Sequence, residues 1–279
     1  MALQHFILTR FNLLLWQKDK EGQKVRTTEW LEHRFSLFER YCLPSVMGQS
    51  CQTFSWIVLF DIATPERFRR RIEDYQKKCP QLIPVFVERE NSRKFAQVFR
   101  NEVIKRLAAD RVITTYLDND DAISVRFVED LQQRSETIDE GTFIYYSDGY
   151  QLYANDGYLM QIHYPNNHFV SVVEQGLPTR VKTIYGYGSH YYIDRIQSAV
   201  IERIAKLPMW CEVVHDKNVD NDAYYFRSKM ISDETLLKRD FALNETIRHG
   251  WNLYLFRFLP RYAKMFIRRT KHYLFGRKW

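Results

Sequence analysis

Over about the first 140 residues, short apolar runs alternate with longer stretches whose apolar positions fall three and four apart. "HFILTRF" (5–11), "FSWIVLFD" (54–61), "LIPVFVE" (82–88) and "RVITTYLD" (111–118) are apolar, β-favouring and short, and each predicts a buried strand. Between the first two lies "TTEWLEHRFSLFERYCLPSVMGQ" (27–49), which opens with a Thr cap. It carries Trp30, Leu31, Phe35, Phe38 and Tyr41 at helical spacing, predicting a helix until Pro44. Residues 64–79, with Pro65 in the first turn, residues 92–109, and residues 124–138, with Ser124 as cap, predict three further helices.

After residue 140 the pattern becomes mixed. "TFIYYSDGYQLY" (142–153) and "GYLMQIHY" (157–164) flank "ANDG", which predicts a hairpin. Strands alternating with helices predict an α/β fold with a mostly parallel sheet and helices on both faces. Such sheets bind ligands outside the C-terminal ends of their strands. Arg10, Asp61 and Asp118 fall at those ends. Neither a repeat nor a Gly/Ser linker interrupts the pattern, so it predicts one domain followed by a tail.

Composition narrows the class. Apolar residues make up 45% and aromatics 15% of the 279, which excludes a disordered body. Cys42, Cys51, Cys79 and Cys211 are scattered without a C-x-x-C pair, arguing against a zinc site and fitting a reducing cytoplasm. The N-terminus lacks a signal-peptide pattern, and no run is long and apolar enough to span a bilayer. The net charge of +7 is concentrated at one end: residues 246–279 hold nine Lys or Arg and no Asp or Glu. The rest is near neutral, which argues against a nucleic-acid binder.

The chemistry-bearing stretch is "LDNDDAI", with Asp118, Asp120 and Asp121 crowded after an apolar strand. Carboxylates that close repel one another unless a cation sits among them or the chain turns and solvates them. Residues two apart on a strand point to the same side, so Asp118 and Asp120 can converge. A hard cation such as Mg²⁺ or Mn²⁺ suits a few carboxylates, with water and phosphate oxygens completing the shell. The alternative is an Asp-rich turn that caps the next helix.

"FRNEVIKRLAADRVITTYLDNDDAI" resembles the segment of family 2 glycosyltransferases in which an Arg-Asn pair, here Arg100-Asn101, precedes a DXD-type motif by about twenty residues. "ILTRFN" is similar to the end of the family's first nucleotide-binding strand, and "WIVLFD" to its second strand with a terminal acid. More narrowly, "RFN", "LPSVMGQSCQTFSWIVLFD", the acidic motif and "MWCEVVHDKNVDN" resemble bacterial rhamnosyltransferases over roughly residues 5–220. The resemblance implies a GT-A fold and metal-dependent, inverting transfer of a sugar from a nucleoside diphosphate donor. It implies a donor-binding half (about 1–123), an acceptor half (about 124–250) and a tail (251–279).

By matching position, Thr9 and Arg10 would lie at the donor, Asp61 at the base and Asp118 at the ribose or metal. Asp120 would ligate Mn²⁺ or Mg²⁺, with Asp121 close behind and His215 contacting metal or diphosphate. Arg10, Arg93 and Arg100 are the candidates to stabilise the departing diphosphate. An inverting transfer needs a general base. Glu174 is the assignment, with Asp148, Asp194 and Glu212 as alternatives. The dense tyrosines from Tyr145 to Tyr192, with Asn166, Asn167, His168 and His190, suit either an acceptor pocket or a half-buried sheet.

At 100° per residue, Leu255, Phe258, Leu259, Tyr262, Met265, Phe266 and Tyr273 fall on one face of a tail helix. Arg257, Arg261, Lys264, Arg268 and Lys271 fall opposite. This basic amphipathic pattern suits an anionic membrane surface, or docking on the body or on a second subunit. The expected protein is cytoplasmic, peripheral on the inner face of the membrane where the tail binds lipid, and acts on a glycan or lipid-linked oligosaccharide. A metal-dependent phosphoryl-transfer enzyme or nuclease, and a non-enzymatic nucleotide- or sugar-binding module, are the rival readings.

Overall fold

The chain is described by a computed structural model for residues 2–15, 27–215, 229–260, 263, 266–267 and 270. It opens with β1 (Leu3–Arg10), α1 (Thr28–Leu37), α2 (Leu43–Met47), β2 (Ser55–Asp61), α3 (Glu66–Lys78), β3 (Leu82–Val87), α4 (Phe95–Arg106) and β4 (Arg111–Tyr116). There follow β5 (Ala122–Ile123), α5 (Phe127–Ser135), β6 (Thr142–Tyr146), β7 (Asp148–Tyr153), β8 (Tyr158–His163) and β9 (Ser171–Gln175). The last elements are β10 (Val200–Ile204), β11 (Trp210–Val214), β12 (Lys229–Met230), α6 (Leu236–Phe241) and α7 (Trp251–Leu253).

The large sheet runs β10-β6-β9-β4-β1-β2-β3. β3, β2, β1 and β4 are parallel, and β9 is antiparallel between β4 and β6. Alternation along each strand divides the core in two. Ile7, Trp56, Val58 and Phe60 pack with Phe35, Phe38 and Phe68 of the α1 and α3 layer on one face. Phe6, Leu8, Ile57 and Leu59 pack with Phe99 and Val103 of α4 on the other. A second sheet, β12-β8-β7-β11-β5, carries its own cluster with Leu237 and Phe241 of α6.

This topology positions the site. From β1 the chain moves outward to β2 and β3, then returns to pair β4 on the other side of β1. The loops after β1 and β4 therefore diverge, leaving a crevice at their C-terminal ends, where open α/β sheets bind ligands.

The structure departs from the sequence expectations in three places. The first helix does not stop at Pro44. It continues to Met47 through a π-turn, Phe38–Cys42, in which the Leu43 N–H donates to the Phe38 carbonyl. That wider turn relieves the clash a proline ring makes in a regular α-helix. Ser124 is not the cap of α5; Arg126 holds that position, and Ser124 Oγ accepts its N–H at 3.4 Å. The single strand expected over 142–153 is split at Ser147, with β6 in the large sheet and β7 in the small one. The hairpin around residues 154–157 is present, with Gly157 at φ +72. Much of the expected tail helix lies outside the described residues, although every described residue from 251 to 270 is helical. All four cysteines are free thiols.

Candidate active site

Arg10 ends β1 at the crevice. Its Nη2 donates to the Tyr116 hydroxyl at 2.5 Å and lies 3.6 Å from Asp118 Oδ1. The guanidinium carbon sits 5.0 to 5.5 Å from the ring centroids of Phe95, Tyr185 and Tyr116, an aromatic cradle that holds a cation by the ring quadrupoles. Beyond it, Asn12 ties two loops together. Its amide donates to Thr64 Oγ1, and its carbonyl accepts the Asp61 N–H.

The three aspartates of "LDNDDAI" do not point to one place. Asp118 accepts the Tyr116 hydroxyl at 3.0 Å. Asp120 turns to α1 and the end of β11: Arg34 Nη1 donates to its Oδ2 at 3.0 Å, and His215 Nε2 lies 3.0 Å from the same oxygen. Arg34 Nη2 also donates to Asn119 Oδ1 at 2.6 Å. Asn119 in turn donates to the Arg10 carbonyl, fastening this turn to the end of β1. Burial alone would raise the Asp120 carboxyl, but the Arg34 charge and the bond from His215 outweigh it and hold it well below the usual range.

Asp121 points the other way. It accepts the Val213 N–H at 2.8 Å and faces His168 Nε2 at 2.8 Å. The two-residue β5 explains that contact: it pairs antiparallel with Trp210 and Cys211, drawing β11 against the acidic turn. Asn167 pins His168 in place, because its amide donates to the carbonyls of Tyr146 and Tyr164 while its own carbonyl accepts the Phe169 N–H. Burial, with the charges of Asp120 and Glu212 nearby, pushes Asp121 up to about 7 against the pull of His168. Burial would lower His168, but the bond to Asp121 and the charges of Asp121, Glu212 and Asp118 lift it to about 9. Glu212, buried on β11, is raised by desolvation and accepts the Gln151 amide at 2.6 Å.

One ligand atom from each of Asp118, Asp121 and His168 lies within 4.8 Å of the others. Two carboxylate oxygens and an imidazole nitrogen form an oxygen-rich donor set that fits Mn²⁺ or Mg²⁺. Ligation requires neutral imidazole, so loading would release the His168 proton.

The other expected site residues are spread more widely. Thr9 is fully buried, and its hydroxyl accepts the Trp56 indole N–H at 2.9 Å. Asp61 is buried at the end of β2, where its Oδ1 accepts the Ala63 N–H and lies 3.6 Å from Arg89 Nε. Arg93 is exposed in a 3₁₀ turn, Arg89–Lys94. Arg100 is a strut that donates to the carbonyls of Val181 and Pro178, each at 2.8 Å. Glu174 stands opposite Val112, near the start of β4 and about 13 Å along the strand from its acidic end. It accepts the N–H groups of Lys182 and Thr183 and the Tyr187 hydroxyl, which fix the segment over the α4 face of the sheet. His215 is beside Asp120, on the Arg34 side of the motif. Two partners were not legible as such: Arg34, which meets the motif across 86 positions, and His168 as a ligand-type residue beside Asp121.

The parallel strands in the order β3-β2-β1-β4 thus carry an acidic motif and a cradled arginine at their switch point. The profile of the family described as "Putative rhamnosyl transferase" matches residues 4–225, and the chain belongs to that family. Among solved structures it is similar to S. aureus TarS, with 11% identity and a TM-score of 0.39 over 77% of this chain and 37% of that one. S. aureus TarS 1-349 in complex with UDP gives 10% and 0.40, over 77% of this chain and 61% of that one. The inositol-1-phosphate CTP transferase from T. maritima gives 12% and 0.38, over 76% and 89%. The chain thus spans 37% to 61% of the length of these two TarS chains. Curated proteins provide no match.

Proposed function

We propose that the protein transfers a sugar, rhamnose by its family, from a nucleoside diphosphate donor to a glycan or lipid-linked oligosaccharide acceptor, with inversion. The observation that carries this reading is the convergence of Asp118, Asp121 and His168 within 4.8 Å, beside Arg10 in the crevice between β1 and β4. Those three residues would hold Mn²⁺ or Mg²⁺, and Asp120 with His215 would form a supporting arm through Arg34. A bound cation supplies positive charge to the departing diphosphate.

Arg10 supplies fixed positive charge from the other wall, already oriented by its rings and by Tyr116. Asp61 and the exposed Arg93 complete the donor side, which occupies about residues 1–123. On the acceptor side, about 124–250, Glu212 takes the proton of the attacking hydroxyl. Burial raises its affinity for that proton, and Gln151 orients it. The new bond forms between the acceptor oxygen and the anomeric carbon as the bond to the diphosphate breaks. The four free cysteines, without a C-x-x-C pair, support a cytoplasmic setting for this reaction.

A thermal-shift panel of nucleoside diphosphates and nucleotide-sugars, with and without Mn²⁺, tests the reading. A ligand that binds only the native state raises the midpoint, the more so the further its concentration exceeds its dissociation constant. A rise with one nucleoside diphosphate that needs the metal is expected; no rise with any nucleotide would sink the proposal.

A further inference from the structure

The segment after Gly250 presents an apolar surface that the body does not cover. Gly250, at φ +133, redirects the chain into α7, which continues through a π-turn, Tyr254–Phe258. Leu253 and Tyr254 pack against the main core, so one side of this helical piece is already occupied. The other side holds Trp251, 77% exposed, and Phe256, 73% exposed, with Leu255, Leu259, Phe266 and Ile267 also exposed. Leu253 and Tyr254 are thus turned to the body while these six are turned away from it. The same six make up most of the large apolar side chains exposed among the described residues. Apolar surface gathered in this way marks a place where something binds.

Charge selects the occupant. Residues 246–279 carry nine Lys or Arg and no acid. Pairing with a second copy of this segment would bring two basic stretches together, with no acid in either to offset them. Nucleic acid would satisfy the cations but would leave Leu255, Leu259 and Ile267 without an apolar medium. An anionic lipid bilayer meets both demands: hydrocarbon for the aliphatic and aromatic face, and headgroup charge for the basic residues. Trp251 suits the headgroup level, where an indole keeps one polar edge. Among the described residues no helix is long and apolar enough to cross the membrane, so the contact is one of lying on the surface.

We propose that the exposed apolar face formed by Trp251, Leu255, Phe256, Leu259, Phe266 and Ile267 docks the protein on an anionic membrane surface, where an acceptor carried by a lipid would be within reach. Docking needs neither donor nor metal, so its test is independent of the glycosyl-transfer reading.

The test is co-sedimentation of the full 279-residue chain with vesicles of phosphatidylcholine alone and of phosphatidylcholine with about 30% phosphatidylglycerol, at low and high salt. Pelleting with the anionic vesicles, weakened by salt and nearly absent with the neutral ones, is expected. The combined variant Leu255→Glu, Phe256→Glu, Leu259→Glu should weaken it at least tenfold while keeping the same circular dichroism. Because those positions are exposed, the variant tests the surface rather than the fold. The proposal is overturned if the chain stays in the supernatant with anionic vesicles. It is equally overturned if the variant pellets as well as the parent, or if the parent is a dimer in solution that the variant converts to monomer.

Discussion

Arg10 and Asp118 face each other across the switch point of the large sheet, 3.6 Å apart, and the Tyr116 hydroxyl accepts from one and donates to the other. The two residues come from strands adjacent in the sheet but more than 100 positions apart in the chain. Their pairing places a fixed cation beside the group of residues suited to a metal.

Arg10→Ala should therefore lower kcat/KM by about 10²-fold or more, the usual scale for removing one preorganised group that meets developing charge. Arg10→Lys should not restore it. A lysine lacks the planar fork that donates to Tyr116 while lying among the rings of Phe95, Tyr116 and Tyr185. Calorimetry with a nucleoside diphosphate and with the free nucleoside separates the roles. The loss should be confined to the diphosphate, and equal weakening of both would mean that Arg10 acts through the fold.

The acidic motif divides into two arms, and substitutions should divide with them. Asp121→Asn and His168→Gln remove members of the converging set, so the Mn²⁺-dependent part of the thermal shift should disappear in each. Asp120→Asn should keep more than half of that shift, because Asp120 is engaged by Arg34 and His215. It should cost stability instead, about 1–3 kcal/mol, since Arg34 would lose its buried partner. If Asp120→Asn alone abolishes the metal response, the ion is held on the Arg34 side of the motif.

How much of this was readable in the chain follows from range. The four parallel strands were legible because each is a short apolar run, buried on both faces in β1, β2 and β4 and half-buried at the edge strand β3, a local property. Asp118 at a strand end was legible for the same reason. β9, β10 and β11 were not, because they are short and held by partners far away in sequence. The site followed the same division. Arg10 and Asp118 could be placed by counting along strands. Whether Asp120 or Asp121 faced the crevice depended on Arg34, His168 and Val213, and nothing local announces those contacts. That Glu174 lies opposite Val112, toward the start of β4, was not legible either, because its neighbours in sequence say nothing about which end of the antiparallel β9 it occupies.

Glu212→Gln and Glu174→Gln should accordingly give opposite results. The first removes the proposed proton acceptor while preserving shape and the contact with Gln151, so kcat should fall by about 10²–10⁴-fold with donor affinity nearly unchanged. The second places an amide group where two backbone N–H groups and a tyrosine hydroxyl need an acceptor. It should cost about 1–3 kcal/mol in stability and leave kcat within a few-fold. Steady-state kinetics and thermal midpoints on both variants decide the matter; a catalytic collapse in Glu174→Gln would return the base to β9.

His5 gives a prediction about pH that is remote from the acidic motif. It is 2% exposed on β1, its Nε2 lies 2.8 Å from Thr115 Oγ1, and that hydroxyl lies 2.7 Å from Ser171 Oγ. Burial pushes its pKa down to about 3 from the ordinary 6.5, so the folded protein keeps it neutral where the unfolded chain takes up a proton. The unfolded state then binds more protons between those two values, and stability falls as the pH drops through that window. The slope from this one residue approaches 1.4 kcal/mol per pH unit below 6.5 and vanishes above it. His5→Leu removes the titration at similar volume and leaves Thr115 its contact with Ser171. The midpoint of the parent should fall relative to that of the variant as the pH is lowered from 7 to 5, and parallel curves would show that His5 titrates in the folded protein as it does in the unfolded chain.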